Sequence, residues 1–324
     1  MTNKQLDQLD IVLELQGVSH NFGPKNVLHD LNLKIIRGET VALVGPSGCG
    51  KSTLLRAILG THLPAKGKVV VSSKDGTLRS VAKPGRDRGI VYQRYSLFPF
   101  LTAAENVAFG LVLDETSIPF RICRPFAWHK LKKGYMDRAR ELLIKLGLEG
   151  SANHYPHELS GGMCQRVAIA QALIIKPQIL LLDEPFGALD EATREALQRM
   201  LLVLYEENQE AIRSGDKPPN TIMIVTHEIN EAIYVSDRVV GLSQYWNWQV
   251  DGHGRFPGAT LVYDKVAPVH HPDDERDFLA FAEQRDDILH QVCDENYLQM
   301  RNESLQFWQQ VKNGDGQGVL ANGN

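Results

Sequence analysis

A glycine-rich segment at residues 45–53 constrains the fold of this chain more than any other feature. It reads Gly-Pro-Ser-Gly-Cys-Gly-Lys-Ser-Thr and directly follows the apolar run Val41–Val44. A buried strand that leads into such a turn and then into a helix forms a phosphate-binding loop. Backbone N–H groups and the positive end of the helix surround the phosphates. The segment therefore predicts an α/β protein that binds a nucleoside triphosphate. The predicted contacts are Gly45, Pro46, Ser47, Gly48, Cys49, Gly50, Lys51, Ser52 and Thr53, with Lys51 at the β- and γ-phosphates and the Ser52 hydroxyl on Mg²⁺.

Composition excludes several classes of protein. The formal charge of the 324 residues is 35 − 39 = −4, so the overall charge gives no argument for a nucleic-acid partner. The four cysteines form no CxxC pair, which argues against a zinc site or a disulfide framework and favours a reducing cytosol. No apolar run reaches the ~18–20 residues that span a bilayer, and residues 1–10 lack the apolar centre of a signal peptide. We therefore expect any membrane crossing to belong to another chain.

Short apolar runs outline the expected architecture. They alternate with helical patterns such as Ser52–Leu59 and Arg194–Asn208, which is typical of a parallel sheet covered by helices. Upstream of the loop, Ile11–Gln16 and Leu31–Ile36 alternate apolar and polar residues and predict an antiparallel sheet. Residues 101–173 predict an inserted helical subdomain. The expected strands of the parallel sheet are Val41–Val44, Gly89–Tyr92, Ile179–Leu182, Ile222–Val225 and Val239–Leu242.

Two acidic residues end one of these apolar runs. Asp183 and Glu184 follow Ile179–Leu182, and carboxylates at the end of a buried strand require a cation or a reaction. In a chain that already carries a phosphate-binding loop, we expect Asp183 to hold Mg²⁺. Glu184 is then placed to orient or deprotonate the attacking water.

The sequence Leu159-Ser160-Gly161-Gly162-Met163 identifies a family. It opens an apolar helical pattern, so it predicts a second anion-binding helix N-terminus. Because it lies between the phosphate-binding loop and the Asp183-Glu184 strand, the chain resembles the ATP-binding subunits of ABC transporters. In that family an LSGGQ-type signature occupies this place.

Further positions match motifs of the same family. Phe22 matches the aromatic residue that stacks on adenine, and Gln93 matches the glutamine that contacts Mg²⁺ and the water. His227 matches the switch histidine at the γ-phosphate, and Ala188–Asp190 matches the loop that follows the catalytic glutamate. The segments Arg86–Gly89 and Leu97–Pro99, together with Met163, are similar to the nitrate, sulfonate and taurine importers.

The resemblance implies a fold, a mechanism and partners. The fold is a P-loop ABC ATPase with a mixed sheet, an antiparallel β subdomain and an inserted helical subdomain. We expect an ATP-binding domain over residues 1–250 and a C-terminal extension over residues 251–324 with an acidic helix and a disordered tail. Two chains, expected to be identical, pair head to tail, so that Ser160, Gly161 and Gly162 of one chain complete the ATP site of the other. The resemblance also implies Mg²⁺, a separate permease, an extracytoplasmic solute-binding protein and a peripheral position on the cytoplasmic face of the membrane.

Three questions remain open at the level of sequence. A soluble ABC-type ATPase outside transport would share the same chemistry. Residues 121–140 carry seven basic side chains and one acidic one, a net charge of +6. They are either a solvated insertion loop or a contact with a permease loop or anionic lipid. Residues 273–310 carry a net charge of −7 in a helical pattern that either packs on this or a partner domain or has a regulatory role.

Overall fold

The computed structural model describes residues 10–73, 76–94, 96–187, 189–268, 270–272 and 281–299. Its strands are β1 (Ile11–Phe22), β2 (Lys25–Ile36), β3 (Thr40–Val44), β4 (Lys66–Ser72), β5 (Leu78–Ser80), β6 (Arg88–Val91), β7 (Ile179–Asp183), β8 (Ile222–Val225), β9 (Arg238–Ser243) and β10 (Thr260–Val266). Its α-helices are α1 (Lys51–Leu59), α2 (Ala103–Glu115), α3 (Ile118–Cys123), α4 (Pro125–Lys145), α5 (Gly161–Leu173), α6 (Glu191–Arg213), α7 (Ile229–Val235) and α8 (Ala282–Ile288). Short 3₁₀ turns occupy Glu149–Ser151 and Pro156–Glu158, and a π-helical turn, Leu289–Cys293, continues α8.

A six-stranded sheet forms the centre, in the order β10-β9-β3-β8-β7-β6. β3 pairs in parallel with β8 and β9, β7 pairs in parallel with β6 and β8, and β10 runs antiparallel to β9. All five residues of β3 are buried. Val41 and Leu43 enter one core and Ala42 and Val44 the other, because successive side chains of a strand point to opposite faces. The five predicted apolar runs are confirmed as strands, except that β6 ends at Val91 and leaves the predicted Tyr92 exposed beyond it.

The two faces of this sheet are covered differently. On one side, α1 and an antiparallel sheet in the order β2-β1-β4-β5 share a core with the central strands. On the other side lie α2, α4, α5, α6 and α7. The α/β fold with an antiparallel β subdomain, predicted from the alternation in residues 11–16 and 31–36, is confirmed.

Between β6 and β7 the chain forms the helices α2, α3, α4 and α5, and this confirms the helical segment predicted for residues 101–173. The first of these helices is fixed by a capping box in which Thr102 and Glu105 bond each other's backbone N–H. The buried Asn106 side chain accepts from the Phe98 N–H and donates to the carbonyls of Phe98 and Leu101. These bonds fix the conformation of the segment that follows Gln93. For the basic segment 121–140, the interpretation as a loop is wrong, because these residues lie in α3 and α4 except for Arg124, which joins the two helices.

The C-terminal segment packs on the central sheet. In the described part of the acidic segment, Phe281, Ile288 and Val292 belong to the core beneath α7 and β10. The Ser243 hydroxyl donates to the Val292 carbonyl at 2.7 Å, which ties the π-helical turn to the end of β9. The predicted helix ends at Cys293, because residues 294–299 include a turn and Gln299 pairs with Trp246 in an isolated bridge. Residues 273–280 and 300–310 of the prediction lie outside the described residues, as does the predicted disordered tail.

A buried charged cluster joins β9 to both neighbouring elements. Arg238 donates to Asp264 at 2.6 and 2.7 Å and to Glu39 at 3.1 Å. Beside it, the Asp237 carboxylate accepts from the Thr40 N–H at 2.8 Å. Burial raises the pKa of Asp237 to about 7, helped by the nearby Glu39 carboxylate.

Among the described residues, no helix combines the length and the apolar character that a membrane span requires.

Candidate active site

The carboxyl edge of the central sheet brings the predicted site residues together. β3, β7 and β8 end at the same edge, where Leu43 and Asp183 both pair with Val225. The next residues along these strands are therefore neighbours. They are Gly45 of the phosphate-binding loop, Glu184, and Thr226, which precedes His227. In parallel α/β sheets this edge is where ligands bind.

The phosphate-binding loop needs its glycines for space and for backbone conformation. A Cβ on Gly45 would lie 2.1 Å from the Leu242 carbonyl oxygen, so only glycine lets the loop pass β9. Gly50 has φ +112° and precedes α1, whose first N–H groups receive no side-chain cap. Left-handed backbone at this point is readily adopted only by glycine. The result is a helix N-terminus with unpaired donors, which is the local structure that binds phosphate.

Lys51 and Ser52 face a cleft of about 390 Å³ beside this loop. The Lys51 ammonium donates to the carbonyls of Gly45 at 2.7 Å and Pro46 at 3.0 Å, so its charge is held over the loop. Ser47 through Thr53 line the cleft. The predicted contact Cys49 is buried and packs in the core, so we expect its backbone rather than its thiol to face the phosphates.

Glu184 is the point at which three predicted catalytic side chains meet. Gln93 Nε2 donates to Glu184 Oε2 at 3.1 Å, and His227 Nδ1 lies 3.4 Å from Glu184 Oε1. Glu184 also lines the cleft that holds Lys51. Its φ of +48° is a conformation that costs a non-glycine residue on the order of 1 kcal/mol or more. The turn is held by the Glu184 N–H, which donates to the Val225 carbonyl at 2.8 Å.

Asp183 occupies the last position of β7. Burial and the neighbouring Glu184 carboxylate raise its pKa, and the cations Arg56 and Lys51 oppose that effect. A half-buried carboxylate next to a second carboxylate is stabilised by a divalent cation. The Ser52 hydroxyl, exposed in the same cleft, is an oxygen donor of the kind that Mg²⁺ prefers.

The predicted signature residues stand apart from this cleft. Ser160 caps α5, where its Oγ accepts from the Met163 N–H at 3.3 Å. Gly161 faces open space, whereas a Cβ on Gly162 would lie 1.5 Å from Thr193 Cγ2. Of the described residues that line the cleft, none belongs to this signature. Asp190 caps α6 beside it by accepting from the Thr193 N–H at 3.1 Å, and Ala188 lies outside the described residues.

Aromatic side chains from distant segments also line the cleft. Phe22, predicted to stack on adenine, is 46% exposed there, and Phe256 is 36% exposed in the same lining. Asn26 Nδ2 holds the Phe256 carbonyl at 3.0 Å. Sequence reasoning missed Phe256 and Gln244, which lie between β9 and β10, because no motif of the family marks that connection.

Together, a phosphate-binding loop, a positioned carboxylate and a separate serine–glycine helix N-terminus define a nucleotide-hydrolysing cassette. Residues 28–187 match the family described as ABC transporter. The chain is 42% identical over 229 residues to a sulfate/thiosulfate import ATP-binding protein, CysA, of Synechocystis sp.. The match covers 71% of this chain and 57% of CysA. The chain is also 38% identical over 237 residues to the aliphatic sulfonates import ATP-binding protein SsuB of Bacillus cereus, covering 72% of this chain and 82% of SsuB.

A solved structure supports the same assignment. The dimeric post-hydrolysis state of the ATP-binding cassette MJ0796, bound to ADP and Pi, matches with a TM-score of 0.54 and 33% identity. The match covers 70% of this chain and 93% of that one. The chain belongs to the ATP-binding subunits of the ABC transporter family, and it is an ABC-type ATPase.

Proposed function

We propose that this chain is the ATP-hydrolysing subunit of an importer for a small solute such as nitrate, a sulfonate or taurine. The observation that carries the hydrolytic part of the proposal is the contact of Gln93 and His227 with Glu184 at the cleft of the phosphate-binding loop. The import part rests on the similarity to relatives that are named as import proteins. The relatives named as sulfate/thiosulfate and aliphatic sulfonate import proteins support a solute that carries an oxyanion group. Nitrate and taurine stay within the same proposal.

In the proposed reaction, Glu184 orients the attacking water and accepts its proton. Gln93 fixes one carboxylate oxygen of Glu184 through its amide N–H, and His227 lies beside the other, where it contacts the γ-phosphate. Lys51 and the loop N–H groups stabilise the charge that develops on the phosphate oxygens. Phosphoryl transfer demands positioning and charge stabilisation more than covalent chemistry, and these groups supply both.

The residues also fit a magnesium ion, which ATP hydrolysis of this kind requires. Ser52, Asp183 and the amide oxygen of Gln93 would hold it, directly or through water. Burial makes the Asp183 carboxylate a group that gains from a cation. The ion would neutralise charge between the β- and γ-phosphates.

A second copy of the chain would complete each site. Ser160, Gly161 and Gly162 offer helix N–H groups to an anion, yet they do not line the cleft of their own chain. Head-to-tail pairing would place them against the ATP of the partner. Hydrolysis would then depend on closure of the dimer, which links the chemistry to movement of a permease.

The test is affinity purification of the tagged Glu184→Gln chain from native membranes with ATP in mild detergent. We expect a polytopic permease to copurify in a fixed ratio of two ATPase chains to one complete permease. An associated solute-binding protein would identify the solute by its own ligand. Copurification of soluble proteins alone would move the chain to the ATPases outside transport. It would overturn the importer proposal and leave the ATPase assignment intact.

A further inference from the structure

The segment formed by α3 and the first half of α4, residues 118–134, lies at the surface of the helical subdomain and is called here the basic finger. α3 has no buried residue. In α4 the buried residues are Tyr135, Ala139 and Leu143, all beyond the finger. Trp128 packs partly buried against the core, but no described residue of the finger is fully buried, so most of its surface is available for another purpose.

Exposed apolar side chains cluster on this finger. Ile118 and Ile122 are 68% and 72% exposed, and Phe126 is 90% exposed. Ile118 and Ile122 are four residues apart in α3, so they lie on the same face of that helix. Single exposed apolar residues are ordinary on protein surfaces. Three large ones within a segment of 17 residues are typical of a contact site.

The cations of the finger are free of acidic partners. Within the described part of the chain, Arg124, Lys130, Lys132 and Lys133 form no ion pair. Nearby, Arg138 pairs with Glu115 and Arg140 with Asp137. The finger therefore carries both cations without an acidic partner and exposed apolar side chains.

Arg121 serves to hold the finger in place. Its guanidinium donates to the Val112 carbonyl at 2.7 Å and to the Thr116 hydroxyl at 2.9 Å. Val112 lies in the last turn of α2, and Thr116 directly follows that helix. It also lies 5.6 Å from the centre of the Trp128 ring in α4. One side chain thus links three successive helices, so the finger presents its surface in a defined position.

We propose that the basic finger binds the surface of an anionic lipid bilayer. Lysine and arginine side chains are attracted to acidic headgroups, and exposed apolar side chains enter the boundary between headgroups and acyl chains. A nucleic acid would match the cations and leave Ile118, Ile122 and Phe126 unpartnered. The finger lies outside the nucleotide cleft, so this contact is additional to the proposed permease and would orient the ATPase at the membrane.

The experiment is sedimentation of the full chain with vesicles of phosphatidylcholine alone or with about one third phosphatidylglycerol. The test variant is Lys130→Ala/Lys132→Ala/Lys133→Ala. The matched control, Lys66→Ala/Lys68→Ala/Lys217→Ala, removes the same charge from exposed lysines elsewhere. We expect the wild-type chain and the control to bind only the anionic vesicles, and the test variant to partition about a hundredfold more weakly. Binding should also fall at high salt because exposed charges are screened.

Phe126→Ser tests the apolar contribution without changing charge. We expect it to weaken binding to anionic vesicles while leaving ATPase activity and the circular dichroism spectrum unchanged. A fluorophore that is sensitive to polarity can be attached at the exposed Cys123 in a Cys293→Ser background, because Cys49 and Cys164 are buried. Its emission should shift to the blue on anionic vesicles and stay unchanged on neutral ones.

Three results would overturn the proposal. The first is equal loss of binding in the test variant and the matched control, which would show dependence on total charge only. The second is the absence of any fluorophore shift on anionic vesicles. The third is binding of the wild-type chain only to vesicles that contain the copurified permease, with loss in the finger variants, which would make the finger a protein contact.

Discussion

At the scale of single residues, the site depends on side chains that long-range packing holds at the sheet edge. Glu184 adopts φ +48° in spite of its side chain, and its N–H is tied to Val225 of the neighbouring strand. Unfavourable backbone of this kind persists where the surrounding structure enforces it, often at functional positions. The contacts with Gln93 and His227 hold the carboxylate in the position that the proposed catalytic role requires.

The two aromatic residues of the cleft give the first prediction. Phe22→Ala and Phe256→Ala should each weaken ATP binding about tenfold, since stacking of a base on an aromatic ring contributes ~1–3 kcal/mol. The measurement is calorimetric titration with Mg-ATP in a Glu184→Gln background. Phe100→Ala is the control, because Phe100 is 70% exposed outside the cleft. If Phe256→Ala binds ATP as tightly as this control, Phe256 does not contact the base.

The pKa of Asp237 gives a second prediction at this scale. Because that pKa is raised to about 7 by burial, the folded chain holds a proton that the unfolded chain has lost. The free energy of unfolding should therefore fall as pH rises from about 4 to about 7, by up to ~1.4 kcal/mol per pH unit. In Asp237→Asn this contribution disappears. Urea unfolding of both proteins at pH 5, 6, 7 and 8 measures the difference, and parallel stability curves would contradict the prediction.

At the scale of elements, the serine–glycine turn at the start of α5 has two glycines with different surroundings. Gly162→Ala should lower the free energy of unfolding by ~1–3 kcal/mol, because its Cβ would collide with Thr193 at the start of α6. Gly161→Ala is the matched control. Its Cβ would meet open space, and alanine is favoured over glycine in a helix by ~0.5–1 kcal/mol. Denaturant unfolding should give a lower free energy of unfolding than the wild type for Gly162→Ala and a higher one for Gly161→Ala. Equal stability would show that α5 and α6 do not pack closely here.

The elements also show how far sequence reasoning reaches. The central strands were predictable because burial on both faces produces continuous apolar runs such as Ile179–Leu182. Strand β10 was not predictable, because the polar residues Asp264 and Lys265 interrupt its apolar run. It forms through pairing with β9 and through the bond between Arg238 and Asp264. The phosphate-binding loop and the signature were readable as local motifs. Phe256 was not, because a bond from Asn26, 230 residues earlier in the chain, holds it at the cleft.

At the scale of the whole molecule, the arrangement separates two functions. The carboxyl edge of the central sheet carries the groups that we propose bind and cleave ATP. The helical subdomain carries the Ser160–Gly162 turn and the basic finger, and neither lines that cleft. A molecule built in this way can make hydrolysis depend on its neighbours, and that dependence is the central claim of the proposed mechanism.

The most direct test is sedimentation velocity of the Glu184→Gln chain with and without Mg-ATP. Without a base to activate water, we expect the variant to hydrolyse ATP at least a hundredfold more slowly than the wild type and to accumulate as an ATP-bound dimer. Adding Ser160→Arg, which blocks the signature without touching the chain's own cleft, should return the protein to a monomer that still binds ATP. A Glu184→Gln chain that hydrolyses ATP at the wild-type rate would contradict the assignment of the base. A dimer that persists with Ser160→Arg would contradict the composite site.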